Sequence, residues 1–172
     1  MQIRPALPSD LAAARAIHAA AFRKPEMPDA DPVEVRVLDD LVAAGDIIEP
    51  LTLVAELDGE PVGHVACSTA MIDDVEVAAL GPIGVLPEHQ GNGIGSALVR
   101  EALAAADGLG YAVMILLGST AFYSRFGFVA ASGLGIESPN PGWGDSFQAR
   151  PLTDYPTELR GRFRYAPAFD GL

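Results

Sequence analysis

The stretch whose residue types and spacing most plainly suit chemistry runs from Gly81 to Ser96 and reads GPIGVLPEHQGNGIGS. An apolar strand pattern, Val75 to Val85, is broken by Glu76 and stopped by Pro87. Gln90-Gly91-Asn92-Gly93-Ile94-Gly95-Ser96 then opens directly onto a helical pattern over residues 97–106. A strand, a glycine-rich turn and a helix start make an anion cradle. Successive backbone N–H groups point inward, and the helix dipole adds partial positive charge. Three glycines within five residues let the backbone approach a bulky phosphate without Cβ collisions. A nucleotide-binding Walker A loop needs Lys followed by Ser or Thr, and no lysine lies between Gly81 and Gly118. A dinucleotide fingerprint needs glycine where Ser96 stands and an acid ending the next strand, Tyr111 to Leu117. The remaining pattern is Q-x-x-G-x-G and a small residue, preceded by a strand ending in Gly-Val-x-Pro.

That pattern resembles the acyl-CoA-binding motif of the GCN5-related N-acetyltransferase (GNAT) superfamily. The similarity extends to ValGlyHisValAla upstream, to Tyr123-Ser124-Arg125-Phe126-Gly127-Phe128 downstream and to TyrAlaProAlaPhe near the end, in matching order. It resembles a bacterial branch of predicted acetyltransferases. The resemblance implies a single α/β domain over residues 1–172, with a mixed central sheet splayed at the acyl-CoA site and flanked by helices. It implies acetyl-CoA as co-substrate, a primary amine on a small molecule or peptide as acceptor, direct transfer between them, and no metal. The loop amides of Gln90, Gly91, Asn92, Gly93, Ile94, Gly95 and Ser96 would hold the coenzyme pyrophosphate. The backbone of Ile83, Gly84 and Val85 would pair with the pantetheine arm.

Thioester aminolysis needs a neutral amine, a stabilised oxyanion and a proton for the leaving thiolate. By resemblance, a backbone N–H near Gly84 and Val85 would serve the oxyanion. Tyr123 matches the superfamily's helix tyrosine, and a phenol with a pKa of ~10 can donate to a forming thiolate. Its competing role is a core aromatic beside Phe122 and Phe126. Glu76, on the central strand, is the candidate base, with a solvent-facing strand acid as the alternative. Asn92 stands where relatives often carry Arg or Lys, so this cradle is uncharged. Arg100 and Arg125 are then the candidate phosphate partners. A non-catalytic acyl-CoA sensor would keep the cradle without a working acid or base.

These groups need elements to carry them. Gln2 to Ala6 reads as a short strand, and Pro8-Ser9-Asp10 as the N-cap of a helix from Leu11 to Phe22. Arg23 to Pro32 is a proline-rich loop, equally a substrate wall or a plain connector. Val33 to Ala44 fits either period. Val35, Leu38, Leu41 and Val42 share a helical face that Gly45 would end, and the resemblance favours the helix. Leu51 to Leu57 and Val62 to Thr69 form a hairpin about Asp58-Gly59. His64 sits in its second strand as a packed or edge histidine. The nearly unbroken apolar run from Tyr111 to Leu117 should be covered on both faces and lie parallel to Val75–Val85. A short helix over Ser119 to Phe126 follows, then a strand from Phe128. Gly133 to Gly144 reads as a long irregular loop. Ser146 to Leu152 and Arg162 to Tyr165 are the last strand candidates.

Composition sets the outer bounds. The chain has 172 residues, 49% of them hydrophobic, enough for a full core. A formal net charge of −12, from 11 basic and 23 acidic residues, argues against nucleic acid as a partner and would favour a cationic substrate. No apolar run is long enough to span a bilayer, and Met1 to Asp10 has no signal-segment pattern, so no membrane partner is expected. The single cysteine, Cys67, reads as a core residue and fits a cytoplasmic protein. A homodimer is a candidate assembly.

Overall fold

A computed structural model describes residues 1–172. The chain order is β1 (Gln2–Pro5), α1 (Leu11–Ala21), α2 (Val33–Ala44), β2 (Leu53–Leu57), β3 (Glu60–Ile72), β4 (Val75–Val85), α3 (Ile94–Gly108) and β5 (Val113–Leu117). A short helix α4 (Thr120–Tyr123) follows, then β6 (Val129–Ala130), β7 (Ile136–Glu137), β8 (Phe147–Pro151) and β9 (Gly161–Arg164). The sheet runs β1-β2-β3-β4-β5-β8-β6, with β9 pairing to β3 and β7.

The hairpin between β2 and β3 turns where both central residues tolerate the left-handed region, Asp58 at φ 51° and Gly59 at φ 85°. Val33–Ala44 is helical, and Gly45 ends it at φ 75° with its N–H on the Leu41 and Val42 carbonyls. The Pro8–Asp10 stretch forms a 3-10 turn but does not cap α1 through a side chain. The Asp10 carboxylate turns back instead to the Leu7 N–H at 2.7 Å and to Arg4 at 2.7 Å. A cation within reach outweighed the local cap.

β5 is buried on both faces, as its apolar run predicts. Met114 and Leu116 pack with Leu98, Val99 and Ala102 of α3. Val113 and Ile115 pack with Phe147 of β8 and Phe163 of β9 on the opposite face. On that opposite side α1 and α2 also lie over the sheet, Ala14 and Leu38 closing on Ala66 of β3. One expectation about the end of the chain needs correction. Residues 133–144 are not wholly irregular, because Ile136–Glu137 pairs in parallel with β9. β9 itself returns to the far end of β3, pairing Met71 with Arg164 and Ile72 with Phe163.

The feature that positions the site is the divergence of β4 and β5. They run parallel, but their register holds only Ala78 with Met114 and Ala79 with Ile115. Beyond Ala79, β4 remains paired with β3 alone. There Val65 pairs with Ile83 and Cys67 with Leu80, so Gly81 and Pro82 together face Ala66. An extra residue in one strand breaks the ladder locally and bends it. The bulge thus falls where the two strands part.

Candidate active site

The cradle lies at the C-terminal end of β4. Gly91 and Gly93 take φ of 78° and 82°, and α3 begins at Ile94. The Gln90 side chain donates Nε2–H to the Val85 carbonyl at 2.9 Å and ties the loop to the strand. The first protein hydrogen bond of the helix is Ala97 N–H to the Gly93 carbonyl. None of the six backbone N–H groups from Gly91 to Ser96 has an acceptor within the chain. Helix starts leave orphan donors, and here the preceding turn extends the row. No basic side chain belongs to the loop itself. Arg125 lies over the Phe122 ring at 4.9 Å, and Arg100 over Phe126 at 5.3 Å.

Strand end, cradle and α4 converge at Gly95. A Cβ there would lie 3.9 Å from Val85 Cγ2 and 4.0 Å from Phe122 Cζ. Phe122 meets Tyr123 edge to face at 4.9 Å. Tyr123 is buried, and burial pushes its phenol up to about 12. The ring also packs on Phe128 at 5.7 Å. Its hydroxyl makes no hydrogen bond in the chain, yet it is not sealed among the buried unpaired atoms. Gly118 leaves space for the ring, since a Cβ there would come within 2.5 Å of Tyr123 Cε2.

Tyr123 lines a cavity of about 400 Å³ that occupies the splay. Leu80 to Ile83 of β4 form one side, and Leu117 at the end of β5 with Gly118 and Ser119 forms the other. Ile83 therefore lines the opening. Gly84, next along β4, faces the opposite layer. A Cβ on it would come within 2.9 Å of His18 Nδ1. His18 and His64 form a buried pair, Nε2 to Nδ1 at 2.9 Å, while His18 Nδ1 has no partner. Burial holds His18 down to about 3, aided by the neighbouring ring, and holds His64 down to about 4. His64 is thus packed, and Cys67 is fully buried as a core residue.

The candidate base falls elsewhere. Glu76 is exposed near the start of β4, paired across the ladder with Met71, and after burial its charge is the next cause that raises the Tyr111 phenol pKa. It precedes Gly84 by eight residues on the strand, roughly 25 Å at an extended rise. In a parallel pair both strands open at the same end, and Glu76 stands at the closed one.

Sequence reasoning missed the cavity's other wall. Phe22 closes it at the end of α1, and Glu34 with Val37 lines it from α2. The loop between these helices contributes through its flanks, not through residues 23–32. Trp143, Tyr165 and Phe169 complete the wall from the last third of the chain. The Trp143 position in a loop and the Tyr-Ala-Pro-Ala-Phe motif were the available signals, and neither carries a periodicity that points at β4.

A divided parallel pair with a row of free amides at its open end and a cavity in the splay is the frame in which the family comparison falls. The chain belongs to the acetyltransferase (GNAT) family, whose model matches residues 12–128. It is 34% identical over 124 residues to the uncharacterized N-acetyltransferase YhbS of Escherichia coli K12, covering 70% of this chain and 73% of that protein. Among solved structures, it resembles a GNAT family acetyltransferase from Brucella melitensis in complex with acetyl-CoA. The TM-score there is 0.78 at 35% identity, over 98% of this chain and 97% of the other. The structure of Escherichia coli YhbS in complex with CoA matches with a TM-score of 0.86 at 29% identity, over 98% and 91% of the two chains. No helix is long and apolar enough to cross a membrane, and no group of three or more His, Cys, Asp or Glu side chains is arranged to hold a metal ion.

Proposed function

We propose that residues 1–172 act as one domain that transfers the acetyl group of acetyl-CoA to a primary amine by direct attack. The observation that carries this reading is the row of six unpaired amides beside a splay cavity that Tyr123 lines. The amides from Gly91 to Ser96 would receive the pyrophosphate, where the helix dipole adds to their pull. The pantetheine arm would run along the unpaired edge of β4 at Ile83, Gly84 and Val85. Arg125, held over Phe122 beside the cradle, would add the positive charge that Asn92 lacks.

The amine nitrogen attacks the thioester carbonyl, and the oxygen gains charge against the β4 backbone N–H groups. The C–S bond then breaks, and the sulfur leaves with the bonding pair. Tyr123, neutral because its pKa lies far above ambient pH, donates a hydrogen bond from its hydroxyl to that sulfur and steadies the thiolate as it forms. The amine loses its own proton toward the open side of the cavity. Glu76 has no part in this proposal, because β4 carries it to the wrong end of the sheet.

The test pairs calorimetry of acetyl-CoA binding with thiol release across a panel of amines. Tight binding with amine-dependent thiol release supports the reading. Binding without release from any amine leaves an acyl-CoA sensor, and absence of binding removes both.

A further inference from the structure

Resting on that acetyltransferase reading, we infer that the acceptor is a monoamine on an apolar body of about one aromatic ring, its ammonium recognised by Glu34. The cavity carries the argument. Of its 16 lining residues 11 are hydrophobic, and the only charged side chain among them is Glu34. No Arg, Lys or His side chain faces it.

Glu34 sits in the first turn of α2 and is half-buried. Its carboxylate makes neither a hydrogen bond nor an ion pair, although four other acids near α1 and α2, Asp10, Asp31, Asp39 and Asp40, are matched with arginines. Val33 beside it and Val37 one turn on line the same cavity, so this face of α2 is turned to the opening. An unmatched carboxylate at the rim of an apolar cavity attracts a single cation. The protein's net charge of −12 brings cations toward it.

The aromatic residues beside α2 interlock, with Phe169 packed against Val37. Tyr165 stacks on Phe169 at 4.5 Å and meets Phe163 at 4.6 Å and Trp143 at 6.2 Å, each edge to face. Interlocked rings of this kind suit an aromatic or compact aliphatic body. They suit other amines poorly. A polyamine would bring a second ammonium into a cavity where Glu34 is the only acidic side chain. A free amino acid would set its own carboxylate beside Glu34 with no cation to offset the repulsion. An aminoglycoside or a peptide would leave hydroxyls or amides unpaired against Trp143 and Phe169. Glu34 is here a specificity-determining residue that holds the ammonium at the opening until it gives one proton to water there, and the neutral amine then attacks.

The experiment uses the full chain at saturating acetyl-CoA and follows thiol release with 2-phenylethylamine, hexylamine, phenylalanine, spermidine and a short lysine peptide. Acetyl-CoA affinity is measured in parallel by calorimetry. We expect kcat/KM for 2-phenylethylamine at least about 30-fold above phenylalanine, spermidine and the peptide, with hexylamine between. In Glu34→Gln, KM for 2-phenylethylamine should rise about tenfold or more while acetyl-CoA affinity and melting temperature hold, and Glu34→Asp should recover part of the loss. Equal or better turnover of spermidine, phenylalanine or the peptide overturns the proposal, as does an unchanged KM in Glu34→Gln. Either result leaves the acetyltransferase reading standing. Thiol release from no amine overturns both.

Discussion

Replacing Tyr123 with phenylalanine removes one oxygen and nothing else, and the structure sets the size of the effect. The ring holds its place through Phe122, Phe126 and Phe128, contacts that Phe retains. The hydroxyl has no hydrogen-bond partner in the chain, so its loss strands no donor or acceptor. The melting temperature of Tyr123→Phe should therefore stay the same or rise slightly. Catalysis should respond differently. A phenol at about 12 is a weaker acid than a thiol, which ionises near ~8.5. Complete proton transfer to the departing sulfur is thus uphill, and the phenol acts mainly as a hydrogen-bond donor to the growing thiolate. A hydrogen bond to a charged group contributes about 1.5–3 kcal/mol, which converts to a rate loss of roughly ten- to a hundredfold. Acetyl-CoA affinity should change by less than about threefold, because the charge exists only as the bond breaks. Single-turnover rates, calorimetry and thermal melts on the same preparations make the comparison. A full single-turnover rate in Tyr123→Phe would refute the reasoning and return Tyr123 to the core.

Gly95 offers the cleaner test of the cradle, since it is helical and a Cβ there meets only ordinary contacts at 3.9 and 4.0 Å. Gly95→Val should fold yet weaken acetyl-CoA binding by about 10²-fold, measured by calorimetry, as its methyls crowd the amide row. Gly93→Val is the poorer probe, because φ 82° strains any β-branched residue there. The buried histidines predict a loss of stability in mild acid. Their folded pKa values, about 3 for His18 and about 4 for His64, lie below the unfolded value of ~6.5. The unfolded chain then takes up protons first, so stability is full above pH ~6.5 and declines as pH falls toward about 4. Asp10, held near 2 mainly by Arg4, adds its own loss only below pH ~4. Melting temperature against pH should decline less between 6.5 and 4.5 in His64→Gln, and an identical slope would assign that window elsewhere.

The parts of the site that depend on neighbouring residues in the chain were legible. Gln90 to Ser96 makes a cradle because its glycines, the strand before it and the helix after it are contiguous. Val75–Val85 occupies the residues its pattern predicts, and the apolar run at β5 correctly implied a strand covered on both faces. Val33–Ala44 fitted either period, and only the family resemblance favoured the helix that forms there. Tyr123 follows β5 by so few residues that it had to lie near the end of that strand. Glu76 shows where local pattern stops. It lies on the central strand as read, but a strand has two ends, and only the parallel pairing of Ala78 and Ala79 with β5 tells which one opens. The His18–His64 pair spans two elements 46 residues apart, and an isolated histidine in a strand carries no mark of its partner. The cavity wall is the plainest case. Phe22, Glu34 and Trp143 share no period and no motif with one another or with Tyr165 and Phe169 of the Tyr-Ala-Pro-Ala-Phe stretch, and they meet because β9 returns to the far end of β3 and carries the last aromatics over the sheet. Backbone conformation and the cradle follow from short-range sterics and hydrogen bonding, which a local stretch of sequence encodes. The cavity wall follows from long-range packing, in which each residue's neighbours are chosen by the whole fold.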